Sequence, residues 1–173
     1  MPLTFYKPEE INISFEEWRR RKQEEQEEYL KGAEKVDLEN VLYDIFFSVD
    51  LICFDRMFQF MPFYWIPEAL KDDPETIALF GHNTIMIDKG YFDAQGLSED
   101  MINTVFHELC HAYNDWKNIP DTDHGVHLRS FADTCESHGG TASYQEELGW
   151  TIARLKPDIM DKVMTRIKRK TGR

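Results

Sequence analysis

Residues 107–111, which read His-Glu-Leu-Cys-His, constrain this chain more than any other part of its sequence. They lie in a segment of helical pattern whose candidate N-cap is Ser98. At about 100° per residue, His107 and His111 lie about 40° apart on the helix, so both imidazoles can reach one metal ion. The apolar residues of the segment fall on the opposite arc. The pattern therefore predicts a core helix that directs two metal-binding histidines away from its apolar side.

Glu108 has a different place on this helix from the two histidines. It stands about 60° beyond His111, outside the expected ligand set but beside the open position of a bound ion. A carboxylate there can take a proton from metal-bound water, as in the H-E-x-x-H motif of zinc peptidases. We therefore predict a zinc site with His107 and His111 as ligands and Glu108 as the general acid/base.

A catalytic zinc ion needs a third protein ligand, and the sequence after the helix offers several. A short metzincin arrangement would have histidine at position 117, which is Lys117, so that class is excluded. A gluzincin would use an acid on the next helix, for which Asp133 and Glu136 are candidates. The remaining choice is His124, which with Gly125 follows a polar loop and is expected to open that helix.

His127 is interpreted as an exposed residue of the same helix, one turn after His124. Its alternative roles are a substitute ligand or an outer-shell partner. Tyr113 and Tyr144 are candidates for a phenol near a developing oxyanion, although core packing is the simpler role for each. The residues alone leave the third ligand open among His124, His127, Asp133 and Glu136.

Charge is distributed unevenly along the chain. Lys and Arg number 20 against 32 Asp and Glu, which gives a formal net charge of -12. Residues 156–173 hold seven basic and two acidic residues, a net of +5, so residues 1–155 carry -17. An acidic body argues against a cleft that grips nucleic acid and against an anionic membrane surface as partner. Any direct contact with nucleic acid is therefore expected only through residues 156–173.

Charged and amphipathic patterns predict a helix near each end of the chain. A capping box at Ser14 begins a charged helix over residues 14–31, expected on the surface. Pro157 begins a basic helix over residues 156–173 with an apolar stripe on one side. A third helix is predicted after Asp37 as N-cap. Its core-facing stripe consists of Leu38, Val41, Leu42, Ile45, Phe46 and Val49.

Aromatic and β-branched runs occupy the middle of the chain. Residues 63–66, 76–80 and 84–87 have strand composition, and residues 81–83 have turn composition. We predict a small antiparallel sheet here. Since the chain has no internal repeat and no Gly/Ser linker, we predict a single α+β domain over residues 1–173.

The cysteines and the apolar stretches indicate in which cellular compartment the protein is expected. Cys53, Cys110 and Cys135 lie far apart in sequence, which is typical of free thiols in a reducing compartment. No uncharged apolar stretch is long enough to span a membrane, and the first ten residues lack a signal-peptide pattern. We therefore expect a cytoplasmic protein that does not insert into membranes.

The histidine motif, followed by His124-Gly125 and the apolar Leu128, resembles the SprT-like zinc metallopeptidase domain, the class that includes the Spartan DNA–protein crosslink proteases. A weaker likeness upstream extends the resemblance to residues 38–150. Leu128 departs from the family pattern, which usually has Phe there, and the cysteine-rich C-terminal zinc ribbon of many bacterial members is missing. The resemblance implies a zincin-like fold with an HExxH active-site helix. It also implies three zinc ligands and one general acid/base: His107, His111, His124 and Glu108.

The leading hypothesis is a cytoplasmic zinc endopeptidase that hydrolyses peptide bonds of a protein or peptide substrate, with Glu108 moving the proton. One alternative is a non-catalytic, zinc-stabilised binding or regulatory protein whose charged helix at residues 14–31 recruits a partner. A further alternative is a DNA-associated protease targeted by the basic tail at residues 156–173.

Overall fold

This computed structural model describes residues 13–71 and 73–172. These residues form six α-helices and seven strands. The helices are α1 (Phe15–Tyr29), α2 (Val41–Phe54), α3 (Lys89–Gln95), α4 (Glu99–Trp116), α5 (Arg129–Ser137) and α6 (Pro157–Thr171). The strands are β1 (Phe63–Trp65), β2 (Ala78–Gly81), β3 (Thr84–Ile87), β4 (Thr122–Asp123), β5 (Val126–His127), β6 (Gly140–Gln145) and β7 (Gly149–Leu155). The predicted α+β class is confirmed, and the strands lie in two small sheets.

Helix α4, which carries the His-Glu-Leu-Cys-His segment, lies at the centre of the fold. It begins where predicted, because the Met101 N–H donates to Ser98 Oγ at 3.1 Å. Helices α2 and α5 and strands β2 and β7 pack around it. Its apolar side is fully buried, and each large side chain there contributes about 1.5–3 kcal/mol. The buried residues are Met101, Ile102, Val105, Phe106, Leu109 and Ala112.

Helix α2 begins later than the sequence predicted. Its N-cap is Asn40, whose Oδ1 accepts from the Leu42 N–H at 2.9 Å. Asp37 accepts instead from the Glu39 N–H at 3.0 Å, within a turn before the helix. The choice of Asp37 as N-cap is therefore wrong, and Leu38 lies outside the helix with 61% of its surface exposed. The predicted stripe from position 42 onward is buried in the core.

The first sheet has the strand order β1-β3-β2 and is mixed rather than antiparallel. Strands β2 and β3 form the expected antiparallel hairpin. Its turn is made by His82 and Asn83, both in the left-handed region, which matches the twist of the two strands. Strand β1 pairs with β3 in parallel, because β2 forms the opposite edge and the β2–β3 hairpin brings β3 back in the direction of β1. The antiparallel prediction is thus correct for one pair of strands only.

The second sheet was not predicted from the sequence. Its strand order is β4-β5-β7-β6, with β6 and β7 forming a long antiparallel hairpin. Strand β5 joins the hairpin through one parallel pairing, His127 with Gly149. Gly149 has a φ of 75°, and a Cβ there would lie 2.2 Å from the His127 carbonyl oxygen. The close approach of β5 to β7 therefore requires glycine at this position.

Two charged helices lie near the ends of the described chain, as predicted. Helix α1 is capped by Ser14, whose Oγ accepts from the Glu17 N–H at 3.1 Å, and it has no buried residue. Helix α6 begins at Pro157 and packs its apolar stripe against α2. None of the helices in the described residues has both the length and the apolar character needed to cross a membrane.

The loop that follows α2 is held by a buried carboxylate. Asp50 is 2% exposed, and its two oxygens accept from the backbone N–H groups of Phe58 at 3.1 Å and Gln59 at 3.0 Å. Asp55, Arg56 and Gln59 all have left-handed backbone conformations. Each such residue costs about 1–2 kcal/mol because its Cβ crowds a carbonyl oxygen. The loop therefore depends on the Asp50 anchor.

We predict that Asp50→Ala lowers the free energy of unfolding by about 2–4 kcal/mol, because two N–H groups lose their acceptor. Urea denaturation measures the change. The matched control is Asp93→Ala, which removes only an exposed ion pair with Lys89 at 3.1 Å and should cost less than about 1 kcal/mol. Equal losses in the two variants would contradict the anchoring role of Asp50.

Candidate metal centre

Three imidazoles meet at one point between α4 and the second sheet. His107 and His111 extend from the same face of α4, and His127 extends from β5. The Nε2 atom of His111 lies 3.1 Å from that of His107 and 3.1 Å from that of His127. The third side of the triangle, between His107 and His127, is 3.3 Å. The three residues lie close enough together to hold one metal ion.

The spacing of these nitrogens matches a tetrahedral metal site. Zn–N bonds of about 2.0–2.1 Å at tetrahedral angles place the nitrogens about 3.3–3.4 Å apart. Three converging imidazole nitrogens cannot all be satisfied by hydrogen bonds to one another, since each neutral ring has a single N–H to give. A shared cation satisfies all three lone pairs at once.

Acceptors on the far side of the rings orient them toward this point. His111 Nδ1 lies 2.7 Å from Asp121 Oδ2, and His127 Nδ1 lies 3.3 Å from the Leu148 carbonyl oxygen. His107 hydrogen-bonds to the backbone of Thr151. Because these partners accept, the Nδ1 atoms of His111 and His127 donate, and the Nε2 lone pairs face the centre. Strand β7 and the residue before it thus provide two of the three partners.

A buried polar chain continues behind His111. Asp121 Oδ2 also accepts from Asn114 Nδ2 at 3.0 Å, and Asn114 Oδ1 accepts from the Thr134 hydroxyl at 2.6 Å. Burial lowers the pKa of His111, but the hydrogen bond to Asp121 and the charges of Glu108 and Asp121 outweigh it, so the pKa is raised. This chain ties α4 to α5 and fixes the carboxylate that orients His111.

The other two imidazoles are held neutral, which is the form that binds metal. Burial, followed by the neighbouring His111 and His127, holds the pKa of His107 well below its ordinary value. Burial and His111 likewise lower the pKa of His127. The ring of Phe131 packs under all three imidazoles, with centroids 4.6, 4.6 and 4.9 Å away, and so limits their rotation.

Glu108 lies beside the imidazoles and faces a cleft. It is only 6% exposed, and burial raises the pKa of its carboxyl to about 7, against the lowering effect of His111. The cleft has a volume of about 560 Å³ and is bounded by β2, α4 and the β4–β5 hairpin. Its described lining includes four histidines and three carboxyl side chains, those of Glu108, Asp115 and Asp121, but no Lys or Arg.

The geometry of this centre is the basis for the roles of its residues. Comparison with protein-family models, curated proteins and solved structures finds no match for the chain. The roles of His107, His111, His127 and Glu108 therefore follow from their own contacts and burial.

The expectation that His124 is the third ligand is corrected by the structure. His124 lies in the turn of the β4–β5 hairpin with a φ of 49°, and its side chain is 96% exposed. It does not open a helix, because α5 begins at Arg129. Since β5 pairs with β7 at His127, the strand brings His127 to α4 and leaves His124 at the hairpin tip. His127 is accordingly neither helical nor exposed as predicted.

The other predicted side chains also lie away from the centre. Asp133 and Glu136 both pair with Arg129, at 3.1 Å each, on the exposed side of α5. Tyr144 is 60% exposed on β6. Tyr113 packs against His138 with centroids 4.4 Å apart. Burial and, after it, the charge of Glu108 raise the pKa of the phenol of Tyr29 on α1.

No pattern along the chain favours His127 over His124 as the third histidine. Phe131, which packs against the imidazoles, is one of several apolar residues in this segment. Asp121 gave no signal of its own, because an acid in a polar loop is unremarkable in this chain.

We predict that His127→Ala weakens zinc affinity at least about a hundredfold, since it removes one of three converging nitrogens. Isothermal titration of metal-free protein with zinc measures the affinity. The matched control is His124→Ala, three residues away, which should bind zinc as the unsubstituted protein does. Loss of zinc in the His124 variant with retention in the His127 variant would reverse the assignment.

We also predict that Asp121→Asn weakens zinc affinity about 10–100-fold, because an amide holds the Nδ1–H of His111 less strongly than a carboxylate does. The same titration measures it. Asp123→Asn is the control, since the side chain of Asp123 is 72% exposed and does not contact His111. A normal affinity in the Asp121 variant would show that the hydrogen bond to His111 is dispensable.

Proposed function

We propose that this protein is a zinc-dependent metallopeptidase that cleaves protein or peptide substrates. The observation that carries the proposal is the position of Glu108, next to three converging imidazoles and open to a cleft. Three nitrogen ligands with one open position are the arrangement of catalytic rather than structural zinc sites. Zinc held by His107, His111 and His127 would supply a Lewis acid that lowers the pKa of water and polarises a carbonyl oxygen.

Glu108 has the properties of the proton carrier for such a reaction. Burial raises the pKa of its carboxyl to about 7, and a zinc cation beside it would lower that pKa again and so favour the carboxylate that accepts a proton. Its carboxylate would take a proton from the attacking water and then deliver it to the departing amine. Burial keeps competing water away from the carboxylate and raises its basicity.

Strand β2 offers a place for an extended substrate. It lies at the edge of its sheet and, in the described chain, pairs only with β3. Residues 78–81 of this strand line the cleft. A peptide in extended conformation can add to such an edge through main-chain hydrogen bonds. Asp115 and Asp121, in a described lining without Lys or Arg, favour substrates with basic side chains near the cleaved bond.

The resemblance to the SprT-like metallopeptidase domain supports the same proposal, with His127 in place of His124. The proposed enzyme would be of that zincin-like kind over residues 38–150. A non-catalytic zinc site is the competing proposal, and it is distinguished by turnover. Targeting to DNA through residues 156–173 stays a further proposal. It concerns where the protein would act and not the reaction that it would catalyse.

We predict that Glu108→Gln lowers the rate of peptide-bond cleavage about 10²–10⁴-fold while zinc binding and the fold are retained, because the amide cannot carry the proton. The assay is release of labelled peptides from fluorescein-labelled casein, an unfolded substrate, by zinc-loaded protein. Zinc content and thermal unfolding are measured in parallel.

Glu99→Gln is the control, since it makes the same chemical change in the first turn of α4, away from the cleft lining. Its activity should be unchanged. Undiminished cleavage by the Glu108 variant would overturn the assigned role. Stoichiometric zinc without turnover on casein or on the chain itself would favour the non-catalytic proposal.

A further inference from the structure

A second concave surface, which shares no residue with the candidate metal centre, lies between α2 and α6. It consists of two adjoining hollows of about 530 and 430 Å³ that share Leu51 and Arg166. Half-buried apolar side chains of α2 form its floor: Phe47, Leu51 and Ile52. We call this surface the α2–α6 groove.

Cations surround the floor of the α2–α6 groove. They are Arg56, Lys162, Arg166, Arg169 and Lys170. Only Lys170 has a carboxylate within 4.0 Å in the described chain, that of Asp44 at 3.2 Å. Two acids, Asp50 and Asp161, also line the groove. Asp50 uses its oxygens on the loop backbone, and its charge also interacts with that of Arg56. Arg166 donates a hydrogen bond to Ser48 Oγ at 3.0 Å.

Elsewhere in the described chain some cations are paired with carboxylates, whereas others, such as Lys31, Arg154 and Lys168, have none within 4.0 Å. Arg20, Lys71, Lys89 and Arg129 all have acidic partners. A chain with 12 more acidic than basic residues has carboxylates in excess. What distinguishes the α2–α6 groove is the combination of five cations with only two acids around one apolar floor, which suits an external anion that also carries apolar groups.

The loop at one end of the α2–α6 groove also supports a binding role for this surface. Arg56 and Gln59 both line the groove, and both have left-handed backbone conformations. The buried carboxylate of Asp50 holds the loop in this shape. Strained backbone of this kind persists only where surrounding contacts enforce it, and it is concentrated at binding sites.

We propose that the α2–α6 groove binds an acidic amphipathic segment of a partner protein. Apolar side chains of the segment would pack on Leu51 and Ile52, and its carboxylates would pair with Lys162, Arg166 and Arg169. These cations recur at helical spacing along one side of α6 and span about 10 Å. That length suits two turns of a helix.

A peptide matches the α2–α6 groove better than a nucleic acid does. A phosphate backbone has no apolar group for the floor of the groove. A duplex would also extend beyond the cations of α6 onto a body that carries -17 over residues 1–155. A short acidic peptide, unlike a duplex, places its charge within the α2–α6 groove alone. The proposal does not depend on zinc or on catalysis.

The test is fluorescence anisotropy of the full chain with a fluorescein-labelled helical peptide of about 14 residues, with Leu on one face and Glu on the flanks. We expect saturable binding that weakens between about 0.05 M and about 0.5 M salt, because ion pairs contribute to it. A peptide of equal charge with Ser in place of Leu should bind at least about tenfold more weakly, since the floor is apolar.

Neighbouring residues on α6 provide a matched pair of variants. Arg169→Glu reverses a cation that lines the groove, and Lys168→Glu reverses an exposed cation that does not. We expect about three- to tenfold weaker binding from the first and no change from the second. Circular dichroism and thermal unfolding verify that both variants fold.

Three results would overturn the proposal. The first is the absence of saturable peptide binding at low salt. The second is equal weakening by the Lys168 and Arg169 variants, which would mean a diffuse effect of charge. The third is tighter binding of a DNA duplex than of the peptide, lost in the Arg169 variant, which would assign the groove to nucleic acid.

Discussion

Burial of the apolar side of α4 is the constraint on which the site depends. Helices α2 and α5 and strands β2 and β7 all pack against this helix, so its rotation about its own axis is set by side chains on the arc opposite the histidines. Six fully buried apolar residues together contribute on the order of 10 kcal/mol. The directions of His107, His111 and Glu108 thus follow from the core rather than from contacts among themselves.

The second constraint is the short pairing between β5 and β7. It consists of His127 opposite Gly149, and it is possible only because no Cβ stands in the way at position 149. The same strand segment supplies the backbone partners of His107 and His127. One hairpin therefore both places the third imidazole and orients two of the three rings. The three imidazoles and Glu108 all line the same cleft.

Charge divides the surface into two different environments. The cleft beside Glu108 has three carboxyl side chains and no Lys or Arg in its described lining, whereas the α2–α6 groove has five cations and two acids. The excess of acidic residues in 1–155 accounts for the carboxyl side chains of the cleft, and helix α6 supplies most of the cations of the groove. The two proposals place ligands of opposite charge on these surfaces, a basic substrate segment in the cleft and an acidic one in the groove. Electrostatic attraction would then direct each ligand to its own surface.

Local patterns in the sequence determined the α4 helix, its Ser98 cap, its buried side, and the pairing of His107 with His111 beside Glu108. They also determined both charged end helices and the β2–β3 hairpin, because helical period, capping and turn composition act over a few residues. Tertiary structure alone decided that His127 rather than His124 joins the centre, that Asp121 holds His111, and that β1 runs parallel to β3. The first and third depend on strand pairing between segments distant in sequence, and the second depends on a loop that returns to α4; no local period encodes them. His127 supplies the third imidazole because β5 pairs with β7, and that pairing exists only in the folded chain.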